Sequence, residues 1–389
     1  MKKKKTISKS GIILAWGELF LKSDGVKEQF KKRLINNIYF FLKKENIDSK
    51  VVILHERLFI STSSQKKAIH ILKRVFGLAW LAESFFLEDF SLKQVKDFIA
   101  KNYNDWISPK QTFAIYLKRS SKKYGNRKKL IDTIASVIER KVNLNNPKKK
   151  IFIEAREKGW FIYFKKEKAL GGLPVGGQGK VLTLVSGGID SPVSSWLMSK
   201  RGAESTWIHF HSFPLVSLAS VNKVKELAKI STLYQSKIKV YFIPFASIQK
   251  AIKVGVPGKY RVLLYRRFML KIAEKLAKKQ GYGALITGES LGQVSSQTLE
   301  NLNLTQEAVK MPILRPLIGM NKQEIIDIAE KIKTFQISIK PQEDCCTLFI
   351  SKHQTASGKL GVIKKLEKDL KLNRFISPIL KKAEIEIFS

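Results

Sequence analysis

Residues 186–191 read Ser-Gly-Gly-Ile-Asp-Ser, between an apolar run at 181–185 and a second apolar pattern that begins at Pro192. An apolar run, a tight turn and a helix start in this order form a point where backbone N–H groups converge. Pro192 suits the first helical turn, where its missing N–H costs nothing. Gly187 and Gly188 let the backbone come close to a ligand. Successive N–H groups with the helix dipole behind them make an anion nest, and Ser186 and Ser191 add hydroxyls. Asp190 would repel a bare phosphate, so its presence implies Mg²⁺ between carboxylate and phosphates. The pattern GxxxxGK[ST] is absent, so this is not a Walker A loop. A plain β-turn before a capped helix is the competing reading of the same six residues.

Other residue types suited to chemistry are few. The five histidines include His209 and His211, which flank Phe210, and such residues are more often hydrogen-bonded core histidines than ligands. The two cysteines, Cys345 and Cys346, are adjacent. That spacing excludes a disulfide framework and a CxxC zinc site, and it fits a reducing, cytoplasmic setting. A basic run with few acids holds Lys118, Arg119, Lys122, Lys123, Arg127, Lys128 and Lys129, with Tyr124 as its aromatic. Such a loop can meet an RNA backbone, or it can be a solvated face. The loop alone does not decide between the two. With 72 Lys+Arg against 32 Asp+Glu, the formal charge is +40. That points to a polyanionic partner, most simply nucleic acid, while a background lysine bias on solvated faces is the competing reading, because the excess is mainly lysine and is spread along the chain.

The elements that must hold these residues fall into three groups, and 389 residues suffice for two or three domains. Residues 11–16 read as a strand. Phe30, Leu34, Ile38, Phe41 and Leu42 mark one face of a helix. Strands at 51–54 and 58–61 flank a turn at His55 and Glu56, and a helix follows near 66–76. This order suggests a ferredoxin-like unit. Residues 79–166 repeat the mixed texture: a short helix at 92–99, a strand alternating through Phe113, Ile115 and Leu117, a helix carrying Ile131, Ile134, Val137 and Ile138, and a hairpin about Lys158-Gly159. Residues 170–180 hold five glycines and one proline and read as a linker. Beyond it, strands at 181–185, 206–210, 240–243 and 284–287 alternate with helices from Pro192 and at 221–230, 260–279 and 322–332. Alternation with near-continuous apolar strands means a parallel sheet covered on both faces. Ligands bind such sheets at the carboxyl ends of the strands, where the opening loop, His209-Phe210-His211 and Thr287-Gly288-Glu289-Ser290 all fall. The first 21 residues imitate a signal peptide, but the apolar part is short, Glu18 interrupts it and no small-residue cleavage pattern follows. No apolar run approaches the ~20 residues that span a bilayer, so no membrane association is expected.

Several stretches then coincide in order: LGGLPVGGQGKVLTLVSGGIDSPVSSW, IHFHSFP, YRRFM, ITGESLGQVSSQTLENL, and PILRPLIGMNKQEI with Asp-Cys-Cys about twenty residues on. Together they resemble the ThiI family of tRNA sulfurtransferases, the 4-thiouridine synthetases, whose loop is the PP-loop of ATP pyrophosphatases. The resemblance implies an α/β chain of three domains: an N-terminal ferredoxin-like α+β domain at 1–62, a tRNA-binding THUMP domain at 63–168 and a doubly wound parallel-sheet PP-loop domain at 169–389. It implies ATP and Mg²⁺ as cofactors and tRNA as partner. ATP would adenylate the uridine at position 8, and sulfur would then replace the C4 oxygen. The family pattern puts the nucleotide against Leu184, Val185, Ser186, Gly187, Gly188, Asp190, Ser191, His209, Phe210, Arg266, Gly288 and Gln297. It makes Asp190, Lys322 and Cys346 catalytic, with Cys345 beside the last. The metal ligands stay open, as do the sulfur donor (a cysteine desulfurase persulfide or sulfide) and the assembly state, a homodimer included. The sequence ends soon after the third domain, so the form expected lacks a rhodanese domain, and a role in thiazole synthesis stays open. At residues 16–25, WGELFLKSDG departs from the family's glycine-rich strand ending.

Glu343 and Asp344 would raise a neighbouring thiol pKa, which Lys352, His353 or a bound cation would have to offset. Consecutive Cα atoms lie ~3.8 Å apart, short of the ~4.4–6.8 Å of ordinary disulfides, so a Cys345–Cys346 bond would be strained and transient. Two other functions compete. A different PP-loop ligase, such as a lysidine synthetase, is opposed by TGESLGQVSSQ and the cysteine pair. A non-catalytic tRNA-binding protein is opposed by the joint presence of Asp190, Lys322 and Cys346.

Overall fold

The computed structural model describes residues 7–18, 23–54, 56–121, 124–341, 349 and 354–389. The chain divides into two compact units, Met1–Pro174 and Val175–Ser389. The cysteine pair, His55, Lys122 and Lys123 lie outside the described residues.

The first unit runs β1 (Ile7–Trp16), α1 (Asp24–Lys44), β2 (Lys50–Ile53), β3 (Leu58–Ser61), α2 (Gln65–Leu72), β4 (Leu78–Glu88), α3 (Leu92–Trp106), β5 (Phe113–Arg119), α4 (Arg127–Ala135), β6 (Lys149–Arg156), β7 (Gly159–Tyr163) and β8 (Glu167–Lys168). One sheet takes in all its strands, in the order β2-β3-β1-β4-β7-β6-β5, with β8 on β4. The first four strands and two helices make the ferredoxin-like pattern. The five apolar residues read as the inner face of α1 are its buried ones. They pack on Ile12, Leu14, Leu58 and Ile60 of the sheet. The hairpin forms as expected, with Arg156 opposite Gly159 at φ +144°, a backbone that favours glycine.

One helix is longer than its sequence pattern suggested. α3 continues to Trp106 rather than stopping near Ile99. A capping box between Ser91 and Gln94 starts it, and Tyr103 extends the buried row Val95, Ile99 at four-residue spacing. The polar residues between these face solvent and hide the continuation.

The second unit runs β9 (Lys180–Leu184), α5 (Asp190–Lys200), β10 (Glu204–His211), α6 (Ala219–Ser231), β11 (Ile238–Pro244), α7 (Ala246–Gly255), α8 (Arg261–Gln280), β12 (Ala284–Ile286), α9 (Leu299–Glu307), β13 (Ile313–Leu314), α10 (Lys322–Lys331), α11 (Phe335–Ser338), α12 (Leu360–Asp369), α13 (Ile376–Lys381) and β14 (Glu384–Phe388). The sheet order is β13-β12-β9-β10-β11-β14, and every pair is parallel except β11 with β14. Both faces are covered, as the near-continuous apolar strands required. Ile208, Phe210, Tyr241 and Ile243 pack under α7 and α8, while the alternate residues Trp207, Val240 and Phe242 pack under α6. The antiparallel edge strand β14 was not read from sequence, because Glu384 and Glu386 break up its apolar run.

The adjacent arginines on α8 differ sharply. Arg267 is 1% exposed. It donates to both carboxylate oxygens of Glu367 on α12, at 2.8 and 3.1 Å, and to Glu307 on α9 at 2.9 Å. Burial disfavours its charge, but these two acids restore it and raise its pKa. Arg267 therefore ties three helices together behind the site. Among the described residues, no helix is long and apolar enough to cross a membrane.

Candidate active site

β9 delivers Leu184 and Val185 to the carboxyl edge of the sheet, and the chain turns at once into α5. Gly187 makes that turn with φ +85°, a conformation open to glycine and costly to other residues. The two predicted hydroxyls fasten the loop on itself. Ser191 Oγ accepts from the Ser186 N–H at 3.2 Å, and Ser186 Oγ accepts from the Gly188 N–H at 3.3 Å. Ser338 of α11 donates to the Gly188 carbonyl at 3.3 Å. Helix α5 starts at Asp190, two residues before Pro192, and Ile189 gives it no side-chain cap. Its first turn therefore presents backbone donors of the kind that bind anions.

Behind the loop, α5 is sealed by buried serines rather than apolar residues. Ser194 donates to the Thr287 carbonyl at 2.7 Å, and Ser195 accepts from Trp207 Nε1 at 2.8 Å while donating to Ser205 at 2.9 Å. These bonds hold the helix close to β10 and to the end of β12. Gly288 shows how close. A Cβ at this position would lie 2.9 Å from the Ser191 nitrogen and 3.0 Å from the Asp190 carbonyl carbon. The near approach present at Gly288 is to the backbone of the loop itself.

A cleft of about 400 Å³ opens at this edge. Leu184, Val185, Ser186, Gly188, Asp190, Ser191, Phe210, Arg266, Gly288 and Gln297 line it, as do Glu289, Thr287 and Ser296. One wall is a face of α8, where Val262, Arg266, Met269 and Leu270 follow helical spacing. That spacing was present in the sequence, but only Arg266 was selected from it. Gln297 sits in a 3₁₀ turn at Ser295–Gln297, and its side chain accepts from the Ser290 N–H at 3.1 Å.

His209 is buried, and its ring is engaged within the fold. Nδ1 meets the Val185 carbonyl at 2.7 Å and Nε2 meets Ser220 Oγ at 3.3 Å. Burial, against the bond to Val185, lowers its pKa to about 4. The neutral ring thus donates from Nδ1 and fixes the carbonyl at the end of β9.

Lys322 reaches the loop from another element. It is the first residue of α10, set by a capping box in which Asn321 accepts from the Glu324 N–H at 3.0 Å and Glu324 accepts from the Asn321 N–H at 2.8 Å. Its Nζ donates to Asp190 Oδ1 at 2.5 Å. Gln293 Nε2 donates to Oδ2 of the same carboxylate at 3.1 Å. Two of the residues predicted as catalytic, Asp190 and Lys322, are therefore in contact, 132 positions apart in sequence. Glu289 is a residue the sequence reading left unassigned. It is buried, and its carboxylate takes Arg266 on one oxygen and, on the other, Arg315 Nε at 2.6 Å and Thr287 Oγ1 at 2.9 Å. Burial alone would raise its pKa, but the two arginines outweigh that and lower it.

The basic run of the first unit splits into two kinds of residue. Arg119 turns back to the Gly125 carbonyl and Arg127 Nε donates to the Leu117 carbonyl at 2.9 Å. Asn126 caps α4 by accepting from the N–H groups of Lys128 and Lys129. The side chains of Lys118, Lys128 and Lys129 are left exposed.

Comparison with known proteins agrees over the full length. The sequence profile of the thiamine biosynthesis protein ThiI matches residues 176–372, that of the ThiI ferredoxin-like domain residues 11–82 and that of the THUMP domain residues 91–165. A probable tRNA sulfurtransferase of Thermoanaerobacter sp. (strain X514) is 38% identical over 94% of this chain and 96% of its own. One from Alkaliphilus metalliredigens (strain QYMF) is 38% identical over 97% and 98%. A crystal structure of a 4-thiouridine synthetase–RNA complex with bound ATP superposes with a TM-score of 0.86 at 30% identity, covering 98% of this chain and 100% of that one. With its three profile matches in order and relatives alike from end to end, this chain belongs to the ThiI family of tRNA sulfurtransferases.

Proposed function

We propose that this protein is an ATP-dependent tRNA sulfurtransferase that converts the uridine at position 8 of tRNA to 4-thiouridine. The observation that carries the reading is the cleft at the end of β9, where the open N-terminus of α5, Asp190 and Lys322 meet. A chain with this arrangement and no Walker lysine suits attack at the α-phosphate of ATP. The uridine O4 bonds to that phosphorus and pyrophosphate leaves. C4 then carries AMP, a far better leaving group than the original oxygen. A sulfur nucleophile forms the C–S bond and AMP departs with the oxygen.

Each residue has a role in that sequence. The N–H groups of the loop and α5 bind phosphate oxygens. The apolar wall from Leu184, Val185, Phe210 and Met269 takes the nucleoside, while Gly288 and Gln297 shape the opposite side. Arg266 faces the phosphates, and Lys322 neutralises charge as pyrophosphate leaves. Asp190, a carboxylate on the cleft wall, would hold Mg²⁺ together with phosphate oxygens, and the ion would offset their charge. Among the described residues no cluster of three acids, histidines or cysteines could hold a metal unaided, so the substrate would complete the ion's shell. Cys346 carries the sulfur as a persulfide received by exchange from a cysteine desulfurase persulfide. Its terminal sulfur bonds to C4 as AMP leaves, and the Cys345 thiol then takes the Cys346 Sγ, which releases 4-thiouridine and leaves a disulfide for an external thiol to reduce. Sulfide as the donor would instead attack C4 directly, with no carrier. The ferredoxin-like and THUMP portions, matched at 11–82 and 91–165, hold tRNA, with Lys118, Arg119, Lys122, Lys123, Arg127 and Lys128 on its backbone, and the portion after the linker is catalytic. The setting is the cytoplasm.

The test is the nucleotide product. Purified protein with unmodified tRNA, Mg²⁺ and ATP should release AMP and pyrophosphate, and Asp190→Ala should stop this while tRNA binding persists. Formation of ADP would remove the assignment.

A further inference from the structure

The strongest unassigned feature is a buried charge cluster beside the cleft. Glu289 is 2% exposed and lies directly after Gly288. Its two oxygens hold two guanidinium groups from separate elements: Arg266 of α8 and Arg315, the residue after β13. Arg266 is also held at its other nitrogen, where Nη1 donates to Ser296 Oγ at 2.7 Å. Arg315 donates further to Gln306 of α9 at 3.1 Å, and its Nη2 is buried with no hydrogen-bond partner among the described residues. One carboxylate between two arginines leaves a net positive charge next to the anion nest.

A buried carboxylate beside a lone arginine would neutralise it and compete with any phosphate for its donors. The second arginine changes this. Arg315 draws the Glu289 carboxylate to itself through Oε2, while Thr287 donates to that same oxygen. Only Oε1 remains for Arg266, which keeps part of its charge and of its five donors for the cleft. A free arginine side chain loses rotamer entropy when a ligand orders it. Glu289 and Ser296 order it beforehand. We infer that Glu289 is a positioning residue that presets the Arg266 guanidinium for the phosphates of the nucleotide, with Arg315 as the counter-charge that keeps Glu289 from neutralising Arg266. The inference rests on the reading of the cleft as a nucleotide site.

The experiment is a double-mutant cycle on the full-length protein, using tRNA-dependent pyrophosphate release at varied ATP. Glu289→Gln should raise KM for ATP about tenfold and change kcat less than threefold. Arg266→Ala should raise KM by at least as much. In the Arg266→Ala background, Glu289→Gln should add nothing further, because it acts through that arginine. Independent multiplication of the two effects would overturn the inference and make Glu289 a scaffold residue. Should Glu289→Gln fail to fold, Ser296→Ala replaces it in the same cycle without uncovering a buried charge. A threefold or larger rise in KM that vanishes in the Arg266→Ala background supports presetting, and an effect that persists there overturns it. Wild-type protein that neither binds ATP nor releases pyrophosphate would instead defeat the nucleotide-site reading, and the inference with it.

Discussion

Replacing Lys322 by alanine separates a catalytic role from a structural one. Lys322 and Asp190 meet at 2.5 Å, and their side chains are 43% and 21% exposed. At that exposure solvent screens the pair, and such pairs contribute ~0–1 kcal/mol to stability. For a domain of this size 1 kcal/mol moves Tm by roughly 2–4 °C. Lys322→Ala should therefore lower Tm by no more than about 4 °C, the more so because α10 keeps its capping box. A preorganised charge aimed at developing negative charge is worth far more, about 10²–10³ in kcat for one group. The expected result is a fall in kcat for pyrophosphate release of that size, with KM for ATP within threefold of wild type. Asp190 retains Gln293 as a partner, so the loop should keep its shape. Differential scanning calorimetry and initial-rate assays on one preparation provide both numbers. A large loss of Tm would make the pair a structural pin. Unchanged kcat would make Lys322 an ordinary surface lysine at a helix start.

Other expectations follow from single contacts. Gly288→Ala places a Cβ 2.9 Å from a backbone nitrogen of the loop, so it should lower Tm and cut pyrophosphate release more than a hundredfold, read by melting and rate assays. His209, with its pKa lowered to about 4 by burial, binds protons more readily unfolded than folded. Its contribution is full above pH 6.5 and falls as pH drops from there towards 4, at up to about 1.4 kcal/mol per unit. Urea titrations over that range should show this slope in wild type and its loss in His209→Gln. Replacing Lys118 and Lys128 by alanine should weaken tRNA binding and reduce the slope of log K against log salt by about one to two, measured by filter binding at several salt concentrations.

The sequence made the sheet and its loop readable because the physics there is local. A parallel strand buried on both faces must be apolar throughout, and a turn that needs positive φ must carry glycine, so residues 181–191 announce themselves. The inner face of α1 was legible for the same reason, through its period. What was hidden depended on partners distant in sequence. Nothing near Arg266 and Arg267 says that one faces a cleft and the other is buried. The acids that decide it, Glu289 and Glu367, lie 23 and 100 positions away. Glu289 itself looks like any polar residue at a strand end until Arg315 is brought to it. The contact of Lys322 with Asp190 was likewise not derivable from spacing, although Asp190 was singled out by its place in the loop and Lys322 by resemblance. Edge strand β14 was missed although Ile385 and Ile387 alternate with glutamates, because five residues are too short a run to stand out and those isoleucines are themselves exposed.

The two carboxylates on the cleft wall have opposite designs, and the difference tells which one can react. Glu289 is buried and held by three donors from three elements, two of them charged. Moving it would strand two guanidinium groups, each costly to leave unpaired in the interior. It can only hold other groups in place. Asp190 is partly exposed and held by one long lysine and one amide, both on flexible stems. Either can swing away at small cost, because water replaces the lost bond. On the proposed function, Asp190 would exchange Lys322 for the Mg²⁺ that accompanies the nucleotide and so leave the lysine free to turn toward the phosphates. In a chain where bases outnumber acids 72 to 32, a bare cationic cleft would bind any polyanion, tRNA included. Two acids set among its cations limit that. The fixed one shapes the cation array, and the exchangeable one would uncover the Lys322 charge only for a nucleotide that brings a metal ion.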